Sequence, residues 1–233
     1  MPTDTRIIKI EAINSFQSLT AELSKLESRL PQNNLNQFLI FNKAYLLVTS
    51  AIQEGARNHY FSNPQFIEKF TISFAQYYLL AVNETASDSI KLPPAWAALN
   101  TASQSRRMPI SILLLMGANA HINHDLPLAL ANIIDKEDAN NLLSDVLKVD
   151  KLLMKSGREI INRFEENNWF LDLLRRRIIF VYYRPVMYMI LYWRIRAWHN
   201  YKSIKNTGLK NSRYAKRSVS IARRLMILGR LLG

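Results

Sequence analysis

The chain has 233 residues, with 31 lysines and arginines against 18 acidic residues and a formal net charge of +13. Its 48% apolar residues and only 6 glycines suit a folded helical protein and argue against disorder. The absence of cysteine excludes disulfide bonds, thiolate metal ligands and a cysteine nucleophile.

Most of the positive charge lies in the last quarter of the chain. Residues 1–172 carry 16 basic and all 18 acidic residues, whereas residues 173–233 carry 15 basic residues and no acid. We therefore predict an all-α domain over residues 1–208, followed by a basic amphipathic helix over residues 209–233. The aliphatic residues of that helix favour an anionic membrane surface as its partner over nucleic acid, for which no binding motif is present.

No segment of the sequence predicts export or membrane insertion. The first residues lack the basic and apolar regions of a secretory signal, so we expect a cytoplasmic protein, associated with membrane peripherally at most. The longest apolar runs, 108–134 and 178–193, are interrupted by ionisable residues and by Pro127 and Pro185. Neither run predicts a transmembrane helix.

The first half of the chain predicts four helices. Apolar residues recur at three- and four-residue spacing through residues 5–30, 36–58 and 64–83. Pro31 is expected to end the first of these helices, and the third begins at its own proline. A short helix that contains Trp96 follows. The third helix carries an aromatic stripe that is more typical of core packing than of a cofactor site: Phe66, Phe70, Phe74, Tyr77 and Tyr78.

The second half predicts a central helix over residues 108–134, a long helix over 138–165, another over 168–205 and the basic helix over 210–232. No segment shows the alternation of a β-strand. We predict a single-domain, all-α bundle of about seven or eight helices with a kinked central helix.

The central helix contains an unusual cluster of ionisable residues. His121, His124 and Asp125 continue an apolar stripe at helical spacing, so they should face the core. Buried ionisable groups are costly unless they are paired, hydrogen-bonded or bound to a metal. Pro127 displaces the carbonyl of Asn123, which predicts the kink beside the cluster.

Two interpretations of this cluster remain open. His121 and Asp125 can form a hydrogen-bonded pair that locks two helices together. They can also bind a divalent ion such as zinc, manganese or iron, with Asp145 as a third ligand and His124 and Asn123 as catalytic residues. Asp145 lies close in register to buried positions of its own helix and can turn inward. Further candidates for the site are His59, His199, Asn119 and Trp198.

Several motifs together resemble the bacterial DUF5995 family over about residues 35–205. They are Phe66–Ala81, Pro94-Ala95-Trp96, the stretch from Gly117 to Pro127, Asp145 together with an asparagine-like position near Asp150, and Ala197-Trp198. The most specific part is Asn119-Ala120-His121-Ile122-Asn123-x-Asp125-Leu126-Pro127. The resemblance implies a pattern of residues and no particular activity.

A weaker likeness is to the fold of zinc-dependent phospholipase C and P1-type nucleases, all-α enzymes with a His-x-x-x-Asp pair shortly before a proline. His121, Asp125 and Pro127 are similar to that pattern. Those enzymes have a histidine just after the proline, whereas this chain has Leu128 and only four histidines in total. A trinuclear zinc site therefore cannot be carried over.

These features lead to one main functional hypothesis and two alternatives. The main hypothesis is a metal-dependent hydrolase of a phosphoester or another small-molecule or lipid-like substrate, in which the ion activates water. The alternatives are a non-catalytic helical protein that binds anionic membrane through its C-terminus, and a non-haem iron redox enzyme. The absence of a Glu-x-x-His motif makes the redox alternative the weaker one.

Overall fold

The computed structural model describes residues 7–87, 92–105, 107–134, 139–163, 169–207 and 213–232. These parts of the chain form an all-α, single-domain bundle and contain no strand, which confirms the predicted fold class. The helices are α1 (Phe16–Gln32), α2 (Asn36–Arg57), α3 (Pro64–Ala86), α4 (Pro94–Ser103), α5 (Ile110–Asn119), α6 (Leu126–Ile133), α7 (Ala139–Arg163), α8 (Trp169–Thr207) and α9 (Arg213–Leu232).

The central helix consists of α5, a π-helical segment (Ala120–Asp125) and α6. Helical backbone angles at both junctions make these three parts one continuous helix. The described residues therefore form eight continuous helices, besides a single 3₁₀ turn at Ile10–Ala12. Pro127 lies in the first turn of α6, directly after the π segment. Because proline lacks an N–H and its ring crowds the carbonyl four residues earlier, a widened turn at this place relieves both problems. The irregularity predicted beside the cluster therefore takes the form of a π segment.

The first helix differs from its prediction at both ends. It begins at Phe16 rather than near residue 5, because Ser15 caps it and exchanges hydrogen bonds with Ser18. It also continues through Pro31 to Gln32, since a proline in the last turn costs only one hydrogen bond close to the helix end. Its predicted apolar face is buried.

The remaining helix boundaries lie within three residues of their predictions. The predicted boundary between body and basic helix, at residue 208, lies outside the described residues. Helix α9 packs against α4, α5 and the π segment, so it belongs to the bundle. No described helix is both long enough and apolar enough to cross a membrane.

Two apolar clusters form the core. The first joins α1 to α5 with α9, through residues such as Leu23, Trp96 and Ala222. The second joins α3, α6, α7 and α8, through residues such as Phe70 and Trp193. Both clusters pack against Ala118, two residues before the start of the π segment, so the ionisable cluster of the central helix lies where the two meet.

Candidate functional site

The π segment carries the predicted cluster into the core. His121 is 2% exposed, Asn123 3% and Asp125 1%, whereas the side chain of His124 is 13% exposed. The sequence prediction that the imidazole and the carboxylate face inward is confirmed. Single π turns within α-helices frequently occur at functional sites, because they shift side chains off the regular helical register.

The Asp125 carboxylate accepts three side-chain hydrogen bonds. His121 Nδ1 lies 3.1 Å and Trp96 Nε1 3.0 Å from Asp125 Oδ2, and His124 Nδ1 lies 2.7 Å from Asp125 Oδ1. Since the carboxylate accepts from His121 Nδ1, that nitrogen carries the proton of the neutral ring. The lone pair of His121 is therefore on Nε2.

The environment favours an ionised Asp125 beside a neutral His121. Burial alone would raise the pKa of Asp125, but the hydrogen bonds from the two histidines outweigh it and the pKa is lowered. Burial lowers the pKa of His121 below its usual 6.5, against the opposing effect of the Asp125 hydrogen bond. At neutral pH the pair consists of a carboxylate and an uncharged imidazole, which is the state of a general base and its orienting partner.

Aromatic rings surround His121. Its imidazole stacks on Phe74 with ring centroids 3.6 Å apart and planes 9° from parallel. The rings of Tyr45 and Phe41 contact its edge at 4.8 and 5.5 Å between centroids. These contacts fix the ring plane, and the Asp125 hydrogen bond fixes its rotation.

A cavity of about 160 Å³ lies beside the imidazole. It is partly open, and most of its wall is apolar, with Phe74, Leu115 and Ile190 among the lining residues. The lining also includes the polar residues Tyr45, Thr71, His121 and Arg194. An apolar pocket with a few converging polar groups is the usual form of a small-molecule site.

Most of the buried polar atoms without partners in the described part of the chain belong to residues that line this cavity. Among the described residues, four buried side-chain atoms have no hydrogen-bond partner: Tyr45 Oη, Thr49 Oγ1, His121 Nε2 and Arg194 Nη2. Three of the four belong to residues that line the cavity. Arg194 is 8% exposed and uses Nε to bind Asp150, which leaves part of its guanidinium free for another group.

The two predicted catalytic residues lie on other sides of the π segment. Neither His124 nor Asn123 lines the cavity. His124 lies beside Tyr214 of α9, with ring centroids 5.8 Å apart. Asn123 Nδ2 donates to Asn119 Oδ1 at 3.1 Å, and Asn119 Nδ2 donates to the Ser218 carbonyl at 2.9 Å. The asparagines therefore connect the central helix to α9.

The structure does not bring the further candidate residues to the cavity. His59 is exposed in the turn after α2 and has a positive φ of 54°. His199 is exposed on α8. Trp198 is buried against Tyr201, with ring centroids 5.0 Å apart, so its role there is packing.

Asp145 turns inward as predicted, but its carboxylate binds the backbone at the start of α3 instead of joining His121 and Asp125. It is 1% exposed and accepts hydrogen bonds from the backbone N–H groups of Ser62, at 2.9 Å, and Asn63, at 2.6 Å. Lys148 Nζ lies 2.9 Å from the same carboxylate. The predicted ligand set of His121, Asp125 and Asp145 is not assembled, and among the described residues no group of three His, Asp or Glu side chains could hold a metal ion.

Asp145 therefore joins α7 to the start of α3, and this role makes a testable prediction. Asp145→Ala should lower the free energy of unfolding by about 2 to 4 kcal/mol in urea denaturation, because two backbone N–H groups lose their acceptor. Lys148→Ala removes the partly exposed ion pair and an exposed hydrogen bond to Ser62 Oγ, but leaves the backbone N–H groups bonded to Asp145, so it should cost less than about 1 kcal/mol. Loss of a bound divalent metal in Asp145→Ala, with stability unchanged, would instead support the metal-ligand prediction.

Sequence reasoning did not single out two residues of the site, Tyr45 and Arg194. Arg194 had a signal, because it is a lone cation on the helix face of Met187, Ile190 and Ala197, which is otherwise apolar. Trp96 belonged to the motif that carries the family resemblance. Tyr45 had no signal beyond its place in an apolar helix.

These observations define the class of protein: an all-α bundle whose central helix holds a buried His-Asp pair beside an apolar cavity. The chain belongs to the family of unknown function DUF5995, whose model matches residues 16–233. No curated protein and no solved structure matches the chain. The resemblance to DUF5995 is thus confirmed over a longer stretch than predicted, and the likeness to the zinc-dependent phospholipase C fold has no matching structure to support it.

Proposed function

We propose that this protein is a hydrolase that acts on a small, largely apolar ester or phosphoester, with His121 as general base. The observation that carries the proposal is the set of unpartnered polar atoms on Tyr45, His121 and Arg194 around one cavity. A buried polar atom without a partner costs on the order of 1 to 3 kcal/mol. A substrate oxygen that accepts from Tyr45 and Arg194, together with a water molecule that donates to His121 Nε2, would remove that cost.

Each group has a distinct part in the proposed reaction. His121 Nε2 takes a proton from water as the water oxygen attacks the carbonyl carbon or phosphorus, and Asp125 stabilises the imidazolium that forms. The bond to the leaving oxygen then breaks, and the imidazolium returns the proton to that oxygen, which leaves as an alcohol or phenol. The free Nη2 of Arg194 and the hydroxyl of Tyr45 can both donate to the substrate oxygen on which negative charge develops. Burial and the charge on Asp125 raise the pKa of Tyr45, so its hydroxyl stays protonated as a donor.

The proposal assigns activation of water to the imidazole and includes no metal ion. His121 and His124 both turn Nδ1 to Asp125, and Asp145 is engaged at α3. The described residues therefore do not fit the three-ligand ion of the sequence-based hypothesis, nor an iron site for the redox alternative. Chelation of divalent metals should leave the proposed activity unchanged.

The size of the cavity limits the group that it can hold. Its volume of about 160 Å³ is close to that of the engineered cavity, about 150 Å³, that binds benzene. The proposed substrate therefore places one short acyl or aromatic group inside, next to its ester or phosphoester linkage. Longer chains must extend through the open side.

Binding without catalysis is a second candidate function, and one observation favours it. His121 Nε2 is buried, and the imidazole stacks directly on Phe74. Attack by water requires room at the edge of the ring beside Nε2, so a group packed against that edge must move to admit the water. A protein that only binds an apolar ligand has no such requirement.

Hydrolysis of chromogenic substrates tests the proposal. The full chain would be assayed with 4-nitrophenyl esters of increasing acyl length and with bis(4-nitrophenyl) phosphate, with and without a chelator. Arg194→Gln is expected to lower kcat/KM about 10- to 100-fold, because a charged donor to the substrate is lost. Arg196→Gln is the matched control, since that cation lies on the same helix but bonds the hydroxyl of Tyr192.

The result separates the two candidates. Chelator-resistant turnover that Arg194→Gln reduces and Arg196→Gln does not would support the hydrolase. Saturable binding of a fluorescent fatty acid without turnover of any substrate would support the binding protein. Turnover that disappears with the chelator and returns with zinc or manganese would overturn the metal-independent mechanism.

A further inference from the structure

The last helix has one face fixed to the bundle. The buried positions of α9 recur every three or four residues: Tyr214, Ser218, Ala222, Leu225 and Gly229. A Cβ atom at Gly229 would come within 2.2 Å of Met108 Sδ, so glycine allows this end of the helix to lie close to the chain before α5. The opposite face of α9 is therefore turned to solvent.

This outward face is strongly basic. Six cations on it are exposed: Arg213, Lys216, Arg217, Arg223, Arg224 and Arg230. Residues 173–233 contain no acid, and within the described residues none of the six pairs with a carboxylate. The helix presents a row of positive charge to which an anionic partner is the electrostatic complement.

The final turns of the same helix expose large aliphatic side chains. Ile227 is 60% exposed, Leu228 44%, Leu231 79% and Leu232 65%. These side chains lie among Arg223, Arg224 and Arg230, so cations and aliphatic groups share one surface. Adjacent apolar and cationic groups are the combination that binds the boundary between lipid headgroups and acyl chains.

Other occupants fit this surface less well. A second copy of the chain would bring two rows of like charge together across a two-fold axis. Nucleic acid would neutralise the cations, but four exposed aliphatic side chains would gain nothing from its phosphates, and α9 exposes no aromatic ring for stacking on bases. An anionic bilayer satisfies both kinds of group.

We propose that the outward face of α9 docks the protein on anionic membrane, with its cations at the headgroups and its terminal aliphatic side chains in the interface. The inward face contacts the π segment through Tyr214 beside His124 and through the bond from Asn119 to the Ser218 carbonyl. Docking therefore fixes the orientation of the π segment relative to the lipid surface. The inference depends on surface residues alone and is independent of the reaction at the cavity.

Vesicle co-sedimentation of the full chain tests the docking surface. The chain should pellet with vesicles that contain about one-third phosphatidylserine, and not with pure phosphatidylcholine, at low salt. Each cation near an anionic surface raises the partition coefficient about fivefold, so Arg223→Gln with Arg224→Gln should lower it about 30-fold. The control pair, Lys25→Gln with Lys151→Gln, removes the same charge from exposed positions on α1 and α7 and should change little.

A second pair of variants tests the aliphatic contribution. Leu228→Gln with Leu231→Gln should release the protein from anionic vesicles most clearly at about 0.5 M salt, where electrostatic attraction is screened. Circular dichroism would verify that all variants stay folded, as their exposed positions predict. The proposal is overturned if the wild-type chain does not pellet with anionic vesicles, if the arginine pair behaves like its control, or if a duplex oligonucleotide binds the chain more tightly than the vesicles do.

Discussion

Replacing His121 with asparagine is expected to lower the turnover number about 100- to 10,000-fold, the usual contribution of a general base. Asparagine can still donate a hydrogen bond to Asp125 from its amide, but it has no group in the place of Nε2. The variant therefore removes the base and retains the contact that holds the π segment. The measurement is kcat for the best substrate of the chromogenic panel, together with a thermal melt.

The matched control is His124→Asn, which loses an imidazole that bonds the same carboxylate but does not line the cavity. A modest loss is expected, because Asp125 keeps its bonds to His121 and Trp96. If His124→Asn were the more damaging change, the sequence-based assignment of catalysis to His124 would be correct and the role given to His121 would be wrong.

The pH dependence provides a second readout for His121. Burial lowers the pKa of His121 from 6.5, so the rate should rise with pH and reach half of its plateau below pH 6.5. The unfolded chain, with the higher histidine pKa, binds the proton first as the pH falls. The free energy of unfolding should therefore decline as the pH falls below 6.5, and His121→Asn should remove this part of the decline.

Truncation of Trp96 is expected to cause the largest loss of stability, about 3 to 5 kcal/mol for Trp96→Ala. The indole is fully buried and contacts Phe38, Phe41 and Tyr78 with ring centroids 5.7 to 5.8 Å away. Its removal leaves a large cavity at the centre of the first apolar cluster. Chemical denaturation followed by circular dichroism measures the change.

Trp96→Phe separates the packing from the hydrogen bond. Phenylalanine fills most of the space but cannot donate to Asp125. Beyond the cost of the smaller ring, we therefore expect the free energy of unfolding to fall by about 1.5 to 3 kcal/mol, which is typical of a hydrogen bond to a charged group. Trp193→Phe makes the same exchange in the second cluster, where the indole of Trp193 donates to no carboxylate within the described residues. Equal losses in the two variants would show that the bond to Asp125 adds no stability.

Periodicity explains why so much of the fold could be predicted. Leu19, Leu23, Leu26 and Leu30 are each fully buried, as their helical spacing indicates. The aromatic stripe of α3 is core packing as predicted, with Phe66, Phe70 and Phe74 stacked in sequence. Such patterns are local, because each residue on a helix is positioned relative to neighbours three and four places away.

The exact ends of helices and the irregularities within them were harder to predict. Ser15 caps α1 through Ser18, whereas the apolar pattern extends farther towards the N-terminus and predicts an earlier start. The π segment before Pro127 is a similar case. Proline indicated an irregularity there, but the choice between a kink and a widened turn depends on how the neighbouring helices pack.

The sequence by itself determined the helices, the inward direction of His121 and Asp125, and the basic composition of the last helix. Only the tertiary structure decided which side chains meet: Tyr45 and Arg194 at the cavity with His121, Asp145 at the start of α3, and the cations of α9 on the outer surface. The physical reason is distance along the chain. Residues on separate helices come together through the packing of whole helices, and hydrophobic periodicity specifies the buried face of each helix but not its partner.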